Sequence, residues 1–544
     1  MALRAPRFAR REAPREARTQ GLRVGARHAA ALTVSGIYLV ASMLVAGGLH
    51  LPSTEAVSRT VHLSLLAAGP QPSALALGVD RPPLLSFLAL PLALVPALRV
   101  HGLAAALATA ALGGLAVLVA AGLARWASMG RATTVLYVTA FALHPLLVYS
   151  GAIGLPEALY AVVLLGAFGQ FLRWLRVEAT APVVSAGAWM GLAFLLHYDS
   201  LWVVAAMAIA YYRVARARGG PVEGTDAAQA TLAAFVTPVV FVAGLWALVC
   251  WFATGDPFAF IEAASRLSAF RGDEPEILRL MQGMRGNLPE VAAWFGHWTL
   301  AFGMPSAIAI AALGVLALAR RRGEPLRLAL VLASVALPET VALLAGHGQP
   351  RAPHLFALVV PAFVALAYAG SITSGEAVPV FTTRHRRHRV RLAAITLLLA
   401  IASLATAAAI PALPRTDPPG PLLLERALAG GPAEAPEDVR RVAVWLNEHA
   451  GAADVIADAE RAAPVIMESG RYELFRTPLS TGGEAAAFDP YGQATYLLVR
   501  RPLEGAADDL IERAHPRLYS QGAAYATLAF EAGEYRVYRV ESNR

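Results

Sequence analysis

Apolar residues run along most of this chain in long uninterrupted stretches, separated by short polar segments rich in arginine. The apolar stretches are continuous rather than alternating, and most reach the length of about 18 residues that a helix needs to cross a bilayer. Helices satisfy their own backbone hydrogen bonds in hydrocarbon, so the pattern predicts transmembrane helices. Full-length spans are expected near residues 29–49, 103–124, 132–150, 155–175, 229–252, 292–318, 326–345, 354–373 and 391–411. Two shorter runs, 183–197 and 200–213, complete eleven crossings if they form a short hairpin.

The apolar stretch 83–98 has an ambiguous status because it is short and contains Pro91 and Pro96, each of which removes a helix hydrogen bond. The arginine clusters resolve the ambiguity. If residues 83–98 do not cross, the basic segments all fall on the side of the arginine-rich N-terminus, as the positive-inside rule expects. Those segments are 125–131, 173–176, 213–218, 320–322 and 384–391. We therefore expect residues 83–98 to form a re-entrant or juxtamembrane helix.

The last part of the chain has a different character. A proline-rich linker at 412–436 follows the last apolar run, and short alternating segments fill residues 437–544. These segments predict strands at 455–457, 496–499, 526–530 and 535–540, with helices at 438–450, 462–469 and 506–514. The predicted domains are thus a cytoplasmic tail at 1–28, a transmembrane domain at 29–411 with its first outer loop at 50–82, the linker, and a small outward-facing α/β domain.

Composition supports a membrane protein and excludes several other classes. Hydrophobic residues make up 57% of the chain and charged residues 15%, which is too apolar for a soluble protein of this length. The net charge of +8 comes from arginine alone, and no basic face or nucleic-acid motif accompanies it. The single Cys250 excludes an intramolecular disulfide and a cysteine-based metal cluster.

Chemistry-bearing residues concentrate in the predicted first outer loop. Glu55 follows the first span, and Asp80 and Arg81 precede Pro82 and Pro83. A transferase that moves a sugar from a lipid phosphate needs a base for the acceptor proton and a cation for the leaving phosphate. Glu55 or Asp80 fits the base, and Arg81 fits the cation. The alternative is structural: Glu55 is a solvated loop acid and Asp80 caps the next helix.

Further polar residues fall at the same predicted face. Glu157 begins a span, where a carboxylate is costly unless partnered. His197 and Asp199 occupy the turn of the short hairpin, and His347, Arg351 and His354 lie at the end of two later spans. Arginine binds phosphate in a bidentate manner, so Arg351 and His347 are candidate phosphate ligands. Each also has a structural interpretation, as a helix-terminal charge or a residue that reaches the interface.

The order of these motifs resembles the GT-C membrane glycosyltransferases, in particular the protein O-mannosyltransferase and aminoarabinose transferase group. The likeness covers about residues 29–375 and includes Asp80 to Leu84, Leu155 to Leu159, Ala253 to Phe258 and Gly348 to Arg351. The resemblance implies an inverting transferase that uses a polyprenyl-phosphate-linked sugar, with its catalytic acid in the first outer loop. Thr54 stands where the family usually has aspartate, and Arg81 where histidine is common. These departures leave open whether Glu55 or Asp80 is the base and whether a divalent metal is used.

The expected fold is therefore an all-α polytopic membrane protein, GT-C-like, with about eleven transmembrane helices, a re-entrant or juxtamembrane helix and a C-terminal α/β domain. The expected function is transfer of a sugar to an acceptor hydroxyl outside the plasma (inner) membrane. The expected catalytic residues are Glu55 and Asp80, the expected phosphate ligands are Arg81, Arg351 and His347, and the expected pocket residues are Glu157, His197 and Asp199. Expected partners are the lipid-linked sugar, a glycan, lipid or protein acceptor and the bilayer, but no nucleic acid; no cofactor is assigned. The rivals are a lipid or solute transporter, an inactive protein that binds lipid-linked glycans, and a structural subunit whose tail recruits a partner. A transporter would be expected to show internal repeats, and the sequence shows none.

Overall fold

A computed structural model describes most of the chain. The described residues are 13–79, 81–218, 223–261, 275–320, 323–346, 350, 352–374, 383–411, 413, 420–429, 431–502 and 510–541. Asp80, His347 and Arg351, three of the predicted site residues, lie outside these ranges.

Helices form the whole membrane region in the described part of the chain. They are α1 (Ala13–Ser42), α2 (Thr54–Ala68), α3 (Leu84–Ala93), α4 (Leu103–Ala111), α5 (Leu115–Trp126), α6 (Arg131–Ala142), α7 (Pro145–Ile153), α8 (Glu157–Val177), α9 (Thr180–Phe194) and α10 (Leu201–Arg218). After these come α11 (Glu223–Thr254), α12 (Pro275–Met284), α13 (Leu288–Trp298), α14 (Met304–Arg320), α15 (Gly323–Ala333), α16 (Leu337–Ala345), α17 (Val360–Ser374), α18 (Thr383–Ala405) and α19 (Gly420–Ala429).

Many of these helices join end to end into membrane-length rods. Among the described residues, eight helices are long and apolar enough to cross a bilayer: Gly25–Gly48, Leu103–Trp126, Glu157–Val177, Gly224–Thr254, Leu288–Ala319, Gly323–Ala345, Ala352–Ile372 and Arg389–Ala409. A ninth arises if α6 and α7, bent by 40°, form one span. These nine match nine predicted spans, and the remaining two predicted runs form α9 and α10. The chain is a multi-pass membrane protein.

The ambiguous stretch after the paired prolines forms a short helix. α3 contains ten residues, so it is about 15 Å long, half of the roughly 30 Å thickness of a bilayer core. A short 3₁₀ turn, Pro96–Leu98, follows it. α3 is therefore too short to cross, as expected for a re-entrant or juxtamembrane helix.

The arginine clusters of residues 125–131, 173–176 and 213–218 share one end of the helix bundle. Arg125, at the end of α5, interacts electrostatically with Arg27 and Arg173. Arg218, at the end of α10, donates to the Leu175 carbonyl at 2.7 Å and pairs with Glu178 at 3.3 Å. The start of α2 and the paired prolines lie at the opposite ends of the same helices, which separates basic clusters from candidate acids as the positive-inside pattern requires.

The predicted first outer loop, residues 50–82, is largely helical. Fifteen of its residues form α2, which begins with Ser53 as N-cap: the Ser53 hydroxyl accepts from the Ala56 N–H at 3.0 Å. The backbone N–H of Ser53 in turn donates to the Ile153 carbonyl at 2.9 Å. These bonds attach α2 to the end of α7, so the first candidate acid, Glu55, lies on a fixed helical turn.

The C-terminal residues form a small α/β domain around one five-stranded sheet. The strands are β1 (Val455–Ala457), β2 (Phe475–Arg476), β3 (Tyr496–Arg500), β4 (Ala526–Ala532) and β5 (Tyr535–Val540), in the order β2-β1-β3-β5-β4. β1 pairs in parallel with β2 and β3, while β5 is antiparallel to β3 and β4. The helices of this domain are Glu437–His449, Ala463–Ser469, Gly483–Phe488, Leu510–Ala514 and Leu518–Gln521. Two-residue β2 was not predicted, because so short a strand has no periodicity.

The C-terminal domain packs directly on α2. Val61 and Leu65 of α2 are buried in the same apolar cluster as Val465 and Ile466 of the domain. Their spacing of four residues puts both on one helical face. The Tyr472 hydroxyl also donates to the Arg99 carbonyl at 2.8 Å, next to α3. One helix thus links the membrane region to the sheet.

Gly154 allows α2 to approach the turn before α8. Its φ is +81°, and a Cβ added there would lie 2.7 Å from the Ala56 Cβ and 3.0 Å from the Ala106 backbone.

We expect Gly154→Ala to lower the melting temperature in detergent more than Gly255→Ala does. Gly255 has the same backbone conformation, φ +80°, but no neighbour within 4 Å. Both variants incur about 1–2 kcal/mol of left-handed strain, so their difference reports overpacking, typically about 1–3 kcal/mol. Equal melting temperatures would contradict close packing at this turn.

Candidate active site at the start of α2

Glu55 and Arg59 form an ion pair on the first turns of α2. Arg59 Nη2 lies 2.7 Å from Glu55 Oε1, and the two residues are four apart, which places them on the same helical face. The side chain of Arg59 is only 2% exposed and that of Glu55 13%. Glu55 is therefore not a solvated loop acid: Arg59 holds its carboxylate, and its side chain is only partly exposed.

Arg59 also connects α2 to the paired prolines. Its Nη1 donates to the Pro82 carbonyl at 3.1 Å and to the Ser86 hydroxyl at 2.6 Å. One guanidinium thereby holds both sequence motifs together, the acid after the first span and the Arg-Pro-Pro turn. The candidate base and Arg81 consequently belong to one cluster.

Arg81 is buried at 1% exposure and contacts both α2 and the C-terminal domain. Its Nη2 donates to the Ser58 hydroxyl at 3.0 Å and pairs with the Glu460 carboxylate. Ser58 donates to the same Glu460 oxygen at 2.7 Å, and His62 Nε2 lies 3.0 Å from it. Arg81, predicted as a phosphate ligand, thus forms an ion pair with a carboxylate of the C-terminal domain.

The hairpin turn between α9 and α10 lies against the same cluster. The Tyr198 hydroxyl donates to the Arg81 carbonyl at 3.0 Å, and Trp246 Nε1 donates to the Tyr198 hydroxyl at 2.9 Å. The Leu84 N–H donates to the Leu195 carbonyl at 3.0 Å. His197 and Asp199 flank Tyr198, so the structure brings both next to the Arg-Pro-Pro turn.

Asp199 is exposed, yet its environment disfavours the charged form. Desolvation by the surrounding protein and the nearby Glu339 carboxylate raise the pKa of Asp199, while His354 opposes that shift. His354 Nδ1 lies 3.2 Å from Glu339 Oε2. Since His354 lies in the 3₁₀ segment Ala352–Val359 and Glu339 in α16, both elements meet the hairpin turn at the same end of the bundle.

Glu157 occupies the first turn of α8 and is 2% exposed. The Ser150 hydroxyl accepts from the Ala158 N–H at 3.1 Å and so fixes the start of this helix. Tyr160, one turn further, contacts the His197 ring with centroids 4.6 Å apart. Glu157 therefore lies one helical turn from a residue that contacts the hairpin turn, and its side chain is more deeply buried than those of Glu55 and Asp199.

Five of the eight predicted site residues are described, and contacts link Glu55, Arg81, His197 and Asp199 into one region with Glu157 behind it. Among the described residues, no three His, Cys, Asp or Glu side chains lie together as metal ligands would. Five further residues of this region were not predicted from the sequence: Ser58, Arg59, His62, Glu339 and Glu460. The spacing of Glu55, Arg59 and His62 at i, i+4 and i+7 is a helical stripe and could have revealed the α2 members.

Comparison with known proteins identifies the fold. Neither a protein-family model nor a curated protein sequence matches this chain. Among solved structures, ArnT from Cupriavidus metallidurans bound to undecaprenyl phosphate is similar, with TM-score 0.52 and 12% identity over 95% of this chain and 97% of that one. The Archaeoglobus fulgidus oligosaccharyltransferase in the apo form has TM-score 0.42 and 14% identity, covering 86% of this chain and 69% of that one.

A further structure is the Archaeoglobus fulgidus oligosaccharyltransferase AglB with an inhibitory peptide and a dolichol-phosphate. It has TM-score 0.43 and 13% identity, covering 93% of this chain and 74% of that one. The likeness to ArnT extends over nearly the full length of both chains, through the membrane helices and the C-terminal domain alike. The chain therefore shares the fold of the ArnT structure, and the GT-C-like fold expected from the sequence is confirmed.

Proposed function

We propose that this chain is a membrane glycosyltransferase that transfers a sugar from a polyprenyl phosphate to an acceptor hydroxyl at the extracytoplasmic face. The observation that carries the proposal is the position of Glu55: a partly buried carboxylate, held by buried Arg59 beside Arg81, at the end of the bundle opposite the arginine clusters. The similar ArnT structure holds undecaprenyl phosphate, which supports this donor class.

The proposed reaction is a single displacement with inversion. Glu55 accepts the proton of the acceptor hydroxyl as its oxygen forms a bond to the anomeric carbon. The bond from that carbon to the phosphate oxygen breaks, and the leaving polyprenyl phosphate gains one negative charge. Arg81 stabilises that developing charge, because a guanidinium in a desolvated site interacts strongly with a phosphate. Arg351 and His347 are proposed as additional phosphate ligands, and Asp80 as the alternative base.

The remaining predicted residues are proposed to shape the sugar pocket. Asp199 and His197 lie in the turn that contacts Arg81 through Tyr198, and an exposed carboxylate beside a bound sugar can accept hydrogen bonds from its hydroxyls. Glu157 supports that turn from α8. By the positive-inside rule, the arginine-rich end faces the cytoplasm, so the N-terminus is inside and the C-terminal domain is outside a plasma (inner) membrane.

Proteoliposomes with undecaprenyl- or dolichyl-phosphate-linked radiolabelled sugars test this function. With an envelope extract as acceptor source, we expect label to leave the lipid and free polyprenyl phosphate to appear in equal amount. The double variant Glu55→Ala/Asp80→Ala should abolish both signals. Glu178→Ala removes a paired acid from the other end of the bundle and serves as the control. Donor binding without turnover would instead indicate a lipid-glycan binding protein, and donor movement across the bilayer a transporter.

A further inference from the structure

The loop after β1 places the Glu460 carboxylate against α2 and Arg81. The Asp458 carboxylate accepts from the N–H groups of Glu460 and Arg461 at 2.9 and 3.0 Å, which fixes this loop in a tight turn. β1 lies between β2 and β3 in the sheet, and the loop begins at the carboxyl end of β1. Glu460 projects from this position towards α2.

Glu460 occupies a pocket whose polar groups are suited to an oxyanion. The hydroxyl of Ser58, the imidazole of His62 and the guanidinium of Arg81 all meet one oxygen, Glu460 Oε1. Ser58, His62 and Arg81 are exposed by 5%, 2% and 1%, whereas the Glu460 side chain is 21% exposed. The pocket is therefore built from fixed, buried groups, and its occupant is the more accessible partner.

The Glu460 carboxylate and a bound phosphate would compete for the positive charge of Arg81. In this cluster of described residues Glu55 pairs with Arg59 and Glu460 pairs with Arg81, and His62 adds a positive charge only when protonated. A phosphate brought to Arg81 would add negative charge to a buried site in which Arg81 already pairs with a carboxylate, which is costly unless that carboxylate leaves. Exchange of the Glu460 carboxylate for the phosphate leaves Arg81 paired with an anion.

We propose that Glu460 is an internal latch: in the resting protein its carboxylate fills the phosphate position formed by Ser58, His62 and Arg81, and the phosphate of the lipid-linked donor displaces it. This inference rests on the proposed function. The domain itself stays docked, because Val61, Leu65 and the Tyr472 contact hold it independently of Glu460. Displacement requires only rotation of one partly exposed side chain.

The latch lowers the apparent affinity for the donor, because only molecules whose phosphate position is open can bind it. The apparent affinity is the intrinsic affinity multiplied by that open fraction. Glu460→Gln keeps the size of the side chain and removes its charge. We expect it to lower the Kd for undecaprenyl phosphate in nanodiscs by on the order of tenfold and to lower KM for the donor more than it changes kcat. Glu473→Gln is the matched control, because Glu473 lies in the same domain and pairs with Arg471 at the surface. It should leave the Kd unchanged.

A second measurement uses the unaltered protein and so does not depend on the folding of a variant. Saturating undecaprenyl phosphate should increase hydrogen exchange in the loop at residues 458–462 while the helix Glu437–His449 stays protected. Equal or weaker binding by Glu460→Gln, or unchanged exchange in the loop on binding, would overturn the latch and leave the proposed function intact. If neither the wild type nor the variant binds undecaprenyl phosphate, the donor assignment fails, and the latch with it.

Discussion

Glu55→Gln is expected to reduce the rate of sugar transfer by about 10²–10⁴-fold, the usual contribution of a general base. Glutamine has nearly the same shape and still accepts a hydrogen bond from Arg59, but it cannot accept the acceptor proton at neutral pH. Donor binding should persist because, in the proposed site, the phosphate contacts Arg81 and not Glu55. The measurement is single-turnover transfer in proteoliposomes, with undecaprenyl phosphate binding measured separately.

Two variants make this result specific. Glu178→Gln removes an acid paired with Arg218 at the other end of the bundle and should keep full activity. Asp80→Asn tests the other candidate base. A large loss in Asp80→Asn with normal activity in Glu55→Gln would transfer the role of base to Asp80, whereas normal activity in both would refute a carboxylate base in this loop.

The membrane fold could be predicted because its signals are long and continuous. Runs of about 18 apolar residues leave the backbone one solution in lipid, and the arginine clusters distinguished spans from the short helix after Pro83. The helical nature of residues 54–68 was missed for a physical reason. α2 divides its surface among the C-terminal domain, α3 and α4, and the polar cluster, so no single apolar stripe exposes its periodicity.

The candidate site was predictable only in part. Glu55, Arg81 and Asp199 lie in segments that the sequence places at one face of the membrane, and a common face brings them into the same region. Their partners come from elsewhere: Glu339 follows Asp199 by 140 positions, and Glu460 follows Arg81 by 379. Pairings over such separations depend on how the helices and the C-terminal domain pack, and local sequence patterns do not determine that packing.

Arg59 is the residue on which the geometry of this site depends most, and replacing it should have the largest effect on stability. Its guanidinium holds the Glu55 carboxylate, the Pro82 carbonyl and the Ser86 hydroxyl at once. Arg59→Met fills similar volume but leaves the carboxylate in a largely buried site without its charge partner. Breaking a buried ion pair in this way costs about 3–5 kcal/mol. We expect a clear loss of thermal stability in detergent, together with loss of transfer activity.

The double variant Glu55→Gln/Arg59→Met separates charge from packing. With both charges removed, the uncompensated carboxylate is gone, so the double variant should be more stable than Arg59→Met alone. Arg218→Met is the matched control: its pair with Glu178 is 30% and 63% exposed, and such surface pairs contribute only about 0–1 kcal/mol. If the double variant is as unstable as Arg59→Met, Arg59 acts through Pro82 and Ser86 rather than through Glu55. A stable Arg59→Met protein would show that the ion pair does not hold α2 against the paired prolines.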